Sequence, residues 1–171
     1  MIVVLRLGHR IPRDERISTH VGLVSRAFGA DGMFYTGQKD EGLEKSIKKI
    51  AEEWGKTFKI EYCKNGLKLS KEFKKKGFSL IHLTMYGKNM TEKIDNIRKN
   101  KNLLIIIGGA QVEREYFEIC DYNLGIGNQP HSEVSALAIF LHEYFEGKQL
   151  ETEFFGKKKI IPSEREKIIE T

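Results

Sequence analysis

Two stretches of this sequence hold the residue types that bind and transform anionic substrates. One is GHRIPRDER, from Gly8 to Arg16, and the other is GIGNQPHSE, from Gly125 to Glu133. The chain has 8 arginines, and 4 of them, Arg6, Arg10, Arg13 and Arg16, fall within the first stretch or just before it. Lysine supplies the other basic side chains. A guanidinium carries a fixed fork of donors that matches phosphate in bidentate fashion, so clustering it in one loop points to a site rather than a solvated face. On a helix, Arg13, Arg16 and His20 stand at i, i+3 and i+7, one stripe of its surface. Arg10, Arg13 and Arg16 are therefore candidates to hold phosphate, with His20 or an arginine facing a reacting group. The plain alternative is a surface helix whose arginines are neutralised by Asp14 and Glu15. The arginine density in an otherwise lysine-rich chain favours the site. His82, within a strand, and His142, in the last helix, read as structural residues. The lysine runs at Lys71–Lys76 and Lys157–Lys159 read as solvated faces.

The second stretch has a structural explanation of its own. Ser132 suits a helix N-cap, Glu133 suits the positive end of the helix, and Pro130 stiffens the entry. That leaves Asn128 and Gln129 unexplained. GIGNQP is a poor dinucleotide fingerprint, because Pro130 stands where the third glycine belongs and no strand with a ribose-binding acid follows. There is no Walker A sequence, no zincin pattern and no GxSxG elbow. Cys63 and Cys120 are isolated, without metal or redox spacing, and no metal is implied.

The elements that must position these loops alternate along the chain. Strands are expected at Ile2–Leu7, Gly32–Thr36, Thr57–Cys63, Phe78–Met85, Leu103–Ile107 and Tyr122–Ile126. Helices are expected over 17–28, from the stripe Ile17, Val21, Val24 and Phe28, and at Glu41–Trp54, Leu69–Lys76, Met90–Lys99, Val112–Ile119 and Ser132–Phe145. This alternation predicts an α/β fold, a mainly parallel six-stranded sheet with helices on both faces. Ligands of such sheets bind beyond the carboxyl ends of the strands. TMYGKN, GGAQVE and GIGNQPHSE all lie there, and each carries glycine, which lets backbone approach a ligand closely. The main domain spans 1–147. Residues 148–171 form an appendage, predicted as a hairpin turning at Gly156 and a short helix begun by Ser163 and Glu166.

Bulk properties bound the rest. The 171 residues are 40% hydrophobic and 31% charged, as in globular rather than disordered chains. The apolar runs are far shorter than the ~18 residues of a membrane span, and MIVVLRLGHR is too short for a signal peptide, so a cytoplasmic location is expected. The net charge of +5 and a pI near 9.1 suit an anionic partner such as nucleic acid.

RLGHRIPRDERISTHVGLVSRAFGADG, HLTMYG and IGNQPHSEVSALAIFL together resemble the archaeal tRNA (cytidine(56)-2'-O)-methyltransferases of the SPOUT superfamily, over nearly the whole chain. The resemblance implies a deep trefoil knot in the C-terminal part, a homodimer, S-adenosyl-L-methionine as methyl donor, and the T-loop cytidine of tRNA as substrate. It places the cofactor against three loops. The first holds Leu83, Thr84, Met85 and Gly87. The second holds Gly108, Gly109, Ala110, Gln111 and Val112. The third holds Ile126, Gly127, Asn128, Gln129, Pro130, His131, Ser132, Glu133 and Val134. Two departures stand out: Ser18 where the family tends to have threonine, and GGAQVE where it often reads Gly-Ala-Glu-Lys-Val-Pro. Arg16 best matches the arginine that related ribose methyltransferases use, ahead of Arg10, Arg13 and Arg26. A literal arginine base is awkward, since a guanidinium stays protonated, so a phosphate-fixing or oxyanion-stabilising role fits better. His20 is the competing base, as histidine ordinarily titrates near ~6.5. The other classes compatible with the sequence are a non-catalytic basic RNA-binding protein and a nucleotide-binding oxidoreductase.

Overall fold

The computed structural model describes residues 1–109 and 111–171; Ala110, one of the expected cofactor residues, lies outside them. In chain order the elements are β1 (Ile2–His9), α1 (Glu15–Ala27), β2 (Gly32–Gly37), α2 (Glu41–Trp54), β3 (Lys59–Tyr62), α3 (Gly66–Lys75) and β4 (Ser79–Asn89). A 3-10 turn at Met90–Glu92 leads to α4 (Ile94–Ile97), β5 (Leu103–Ile107), α5 (Arg114–Ile119), β6 (Tyr122–Gly125) and α6 (Glu133–Tyr144). The tail carries β7 (Lys159–Ile161) and β8 (Ile168–Glu170).

The first six strands form one sheet in the order β3-β2-β1-β5-β4-β6, and every pairing is parallel. Alternation along the strands divides the apolar residues between two cores. Ile2, Val4, Ile81, Leu83, Ile105 and Ile107 face α1, α2, α4 and α6, where Val21, Ile47, Ile97, Leu137 and Phe140 meet them. Val3, Leu5, Leu80, Leu104 and Ile106 face α3 and α5, through Phe73 and Tyr116. All five residues of β5 are buried, as a strand covered on both faces requires. Three helices, α2, α3 and α6, start on side-chain caps: Asp40 accepts from Leu43 N at 3.0 Å, Asn65 from Lys68 N at 2.8 Å, and Ser132 from Val134 N at 3.2 Å. From β1 the chain steps outward through β2 to β3, crosses to β4 on the other side, returns inward to β5 and ends at the edge strand β6, and ligands of open α/β sheets bind near such a reversal.

Three expectations are corrected. β4 runs to Asn89 rather than Met85, because the chain leaves and rejoins the sheet: Leu83 and Lys88 both stand opposite Leu124 of β6. The helix expected at 90–99 is broken into a 3-10 turn and the single turn of α4, with Lys93 between them at φ −124°. The tail hairpin turns within 162–167, not at Gly156, pairing Lys159 with Glu170, Ile160 with Ile169 and Ile161 with Ile168. Ser163 Oγ accepts from the amides of Arg165 and Glu166, but it closes this turn instead of starting a helix. The paired isoleucines, β-branched on both strands, outweigh the capping signal. Gly156 packs on the end of α2, where a Cβ would lie 2.6 Å from the Glu53 carbonyl. Lys158 holds the same place, with its amide on Glu53 O and its Nζ on the Glu53 carboxylate, both at 2.9 Å.

Gly37 closes β2 with φ +102°, and a Cβ there would collide with the His9 carbonyl and lie 2.7 Å from the His9 amide. Gly37→Ala is expected to lower stability in urea unfolding by about 2 kcal/mol or more, through left-handed strain and backbone contact. A Cβ on Gly109 meets nothing within 4 Å, and Gly109→Ala is expected to unfold within about 0.5 kcal/mol of wild type.

Candidate cofactor cavity and basic loop

The excursion of β4 between Leu83 and Lys88 and the loops after β5 and β6 surround a cavity of about 260 Å³. From the first loop it is lined by Leu83, Thr84 and Met85, together with Tyr86. The second contributes Gly108, Gly109 and Val112, and the third contributes Ile126, Gln129, Pro130, His131, Ser132 and Glu133. His82 and Ala136 complete the wall. The other expected residues, Gly87, Gln111, Gly127, Asn128 and Val134, do not line it. Asn128 acts as a clamp: its Nδ2 donates to the carbonyls of Met85 at 2.7 Å and Gly87 at 3.0 Å, joining the first loop to the third. Gly87 must be small, since a Cβ would lie 2.5 Å from the Asn123 and Leu124 backbone. His131 Nε2 donates to Ile126 O at 2.7 Å and closes the third loop on itself. Gly127 sits at φ +69°, a turn that glycine takes without strain.

A larger open groove, about 690 Å³, follows the sheet edge between α2 and β3. Its rim alternates Lys45, Lys48 and Lys59 with Glu41, Glu44 and Glu52, so its charges offset one another. Binding sites are marked by convergent polar groups more than by size, and that favours the smaller cavity.

Arg6 is the residue whose role its sequence position did not disclose. It points out of β1 into the core at 2% exposure, and its Nη2 meets Glu133 Oε1 at 3.0 Å. Nη1 donates to Leu7 O, while Nε has no partner among the described residues. Burial lowers the Arg6 pKa, and Glu133 opposes that shift. The pair joins the end of β1 to the first residue of α6, beside the cavity. The signal in the sequence was an arginine inside the otherwise apolar run IVVLRL.

The basic loop rests on a second buried network, also not foreseen. His9 is fully buried on β1; its Nδ1 meets Ser18 Oγ at 2.8 Å and its Nε2 meets Asp40 Oδ2 at 3.1 Å. Serine, histidine and aspartate in this order suggest a nucleophilic relay, but Ser18 and His9 are both sealed from solvent. The network instead fastens α1 and the start of α2 to β1. Burial pushes the Asp40 pKa up, but hydrogen bonds from the Leu43 amide and His9 outweigh it, leaving it below the ordinary value.

Above this network Arg10 is held by Asp14 at 2.7 Å, and that bond keeps the Asp14 carboxyl below the usual range. Arg13 lies in the turn before α1 rather than on the helix; Arg16 and His20 lie on α1 at i and i+4. All three are exposed. Arg26 is buried and donates through Nε and Nη2 to Gly55 O at 3.0 and 2.6 Å, a packing role. None of Arg10, Arg13, Arg16 and His20 lines the cavity.

The parallel six-stranded sheet with helices on both faces is a fold shared with SpoU methyltransferases of known structure. The A. aeolicus TrmH/SpoU tRNA modifying enzyme is similar at TM-score 0.63 and 19% identity, covering 88% of this chain and 76% of that one. AviRb from Streptomyces viridochromogenes, a SpoU methyltransferase in complex with the cofactor AdoMet, is similar at TM-score 0.63 and 13% identity, covering 86% of this chain and 57% of that one. At such identities the likeness is one of fold. Sequence narrows it further. The family described as tRNA ribose 2'-O-methyltransferase, aTrm56, matches residues 54–170. Two relatives named tRNA (cytidine(56)-2'-O)-methyltransferase are 49% identical (Methanocaldococcus jannaschii, 99% of this chain and 96% of the relative) and 51% identical (Methanococcus maripaludis strain S2 / LL, 98% and 96%). The chain belongs to this aTrm56 family.

Removing one partner of a buried ion pair leaves an uncompensated charge. Glu133→Ala is therefore expected to cost about 3 kcal/mol in urea unfolding, because Arg6 stays in the core without its carboxylate.

Proposed function

We propose that this protein transfers a methyl group from S-adenosyl-L-methionine to the ribose 2'-hydroxyl of the T-loop cytidine at position 56 of tRNA. The observation that carries this reading is the convergence of Leu83–Tyr86, Gly108–Gly109 and Ile126–Glu133 on one cavity in an aTrm56-family chain. The cavity suits the nucleoside part of that cofactor. Its Gly109 wall is open where a side chain would intrude, and the buried Nε2 of His82 has no partner among the described residues. Leu83, Met85, Ile126 and Pro130 supply apolar surface, and the loop backbones supply donors and acceptors around it.

When bound, the cofactor supplies an electrophilic methyl group on sulfonium sulfur, a good leaving group. The protein must then bring the 2'-hydroxyl into line and take up its proton. Arg16 is proposed to fix a neighbouring phosphate or stabilise the developing alkoxide, with His20 as the competing base one helical turn away. Arg10 and Arg13 are proposed to hold tRNA phosphates. Because the basic loop does not line the cavity of its own chain, we infer a homodimer in which each cavity faces the basic loop of the partner subunit. Ile139, 46% exposed on α6, and Tyr86, 73% exposed at the cavity mouth, offer apolar surface for that contact.

Residues 1–147 are proposed as the methyltransferase domain and 148–171 as an appendage. The departure of β4 between Leu83 and Lys88, clamped by Asn128, supports a trefoil knot in the C-terminal half. No helix among the described residues is long and apolar enough to cross a membrane. A cytoplasmic site of action is proposed from the substrate.

Labelled methyl from S-adenosyl-L-methionine is expected to enter a tRNA transcript and to be lost when cytidine 56 is replaced. Failure of the cofactor to bind would favour a non-catalytic RNA-binding protein, and binding of NAD(P) instead would favour an oxidoreductase. In single-turnover assays Arg16→Ala is expected to slow methyl transfer by about 100-fold or more, and His20→Ala by less; wild-type chemistry in the Arg16 variant removes its role. Sedimentation equilibrium is expected to give about twice the 19.7 kDa chain mass, and a monomer contradicts the shared site.

A further inference from the structure

His82 was read from the sequence as structural, yet it lines the cavity. It is 1% exposed, among the most buried polar residues of the chain, and one of its ring nitrogens is left over. Buried polar atoms without partners are few in folded proteins, and each calls for a reason. The hydrogen bonds around the ring give one, because they settle which nitrogen carries the proton.

A carbonyl oxygen can only accept a hydrogen bond. Phe117 O takes a hydrogen bond of 2.9 Å from Asn123 Nδ2. That orients the amide, so Asn123 Oδ1 is the atom facing His82 Nδ1 at 2.9 Å. An amide oxygen also only accepts, so Nδ1 must carry the hydrogen and donate it. Burial lowers the His82 pKa, which keeps the ring neutral. Nε2 is then an unprotonated lone pair. Phe117 meets the imidazole edge-on, with centroids 4.7 Å apart, and fixes the ring in this orientation. The relay Phe117–Asn123–His82 thus runs from α5 through β6 to β4 and ends in a buried acceptor on a residue of the cavity wall.

We propose that Nε2 of His82 is a recognition acceptor that takes a hydrogen bond from an N–H or O–H donor on the adenosine of the cofactor. The inference rests on the cavity being the cofactor site. Two donors of that nucleoside meet the requirement, the exocyclic amine of the base and the ribose hydroxyls. A carbonyl or carboxylate placed against Nε2 would be repelled, so the residue also acts against ligands that present only acceptors there.

Imidazole 15N resonances of the wild-type protein test this without relying on activity. Ligand-free protein is expected to show Nδ1 protonated and Nε2 bare. With S-adenosylhomocysteine, Nε2 is expected to shift upfield, as a lone pair does on accepting a hydrogen bond. Calorimetry adds a second reading: His82→Phe, which keeps a ring but removes the acceptor, is expected to weaken S-adenosylhomocysteine about tenfold. Binding of S-inosylhomocysteine and of the 2'- and 3'-deoxy analogues separates the donors. Insensitivity of one analogue to His82→Phe identifies the group it lacks as the partner. If all of them lose affinity equally, the adenosine is not the donor and the proposal falls. It also falls if backbone amides of Leu83 and Gly109 shift on binding while Nε2 does not; in that case the cofactor site stands. Absence of any shift in either set overturns the site and the proposal together.

Discussion

A charge held inside the sheet organises this molecule. Arg6 leaves the apolar strand β1 at a point where burial penalises its guanidinium, and Glu133 is the partner that offsets the penalty. The carboxylate belongs to the first residue of α6, whose N-terminus already favours negative charge. One ion pair therefore fixes where the first strand ends relative to where the last helix begins. The third cavity loop is the segment just before that helix, so its position follows from the pair. Replacing such a pair by apolar residues is often no less stable; here it sets a register that a nonpolar contact would leave looser.

Around that anchor, residues outside the cavity hold its loops together. Asn128 spends its amide on the Met85 and Gly87 carbonyls, and Gly87 lets β4 pass against β6 at van der Waals limits. These residues do not touch the cavity, yet they hold the loops that do. On the other side of β1, His9, Ser18 and Asp40 anchor the arginine-bearing turn from below. The result is a floor under the turn that carries Arg10, Arg13 and Arg16, with Arg10 paired to Asp14 and Arg13 and Arg16 exposed.

Much of this was legible in the sequence, for physical reasons. α2 and β5 have the predicted bounds, because Glu41–Trp54 repeats its apolar residues at helical spacing and Leu103–Ile107 is apolar throughout. The parallel sheet followed from strict alternation of strands and helices. What stayed hidden depends on long-range contacts. The extension of β4 to Asn89 needs β6, 36 residues further along the chain, as its partner. The tail hairpin needs Ile160 and Ile169 to meet, which local capping at Ser163 cannot report. In the site, twelve of the eighteen residues expected to bind cofactor line the cavity. Gly87 and Asn128, expected at the ligand, stand outside the cavity and hold its frame. Arg6, His9 and His82 carry polar chemistry inside apolar strands, and single residues in such runs do not announce which partner satisfies them.

The central claim is that the last three strand-end loops form the cofactor site. A crystal structure of the protein with S-adenosylhomocysteine tests it most directly. The ligand is predicted to lie in the cavity of about 260 Å³, against Leu83, Gly109 and Ile126. A ligand seated in the larger groove between α2 and β3, or outside both, would contradict the account.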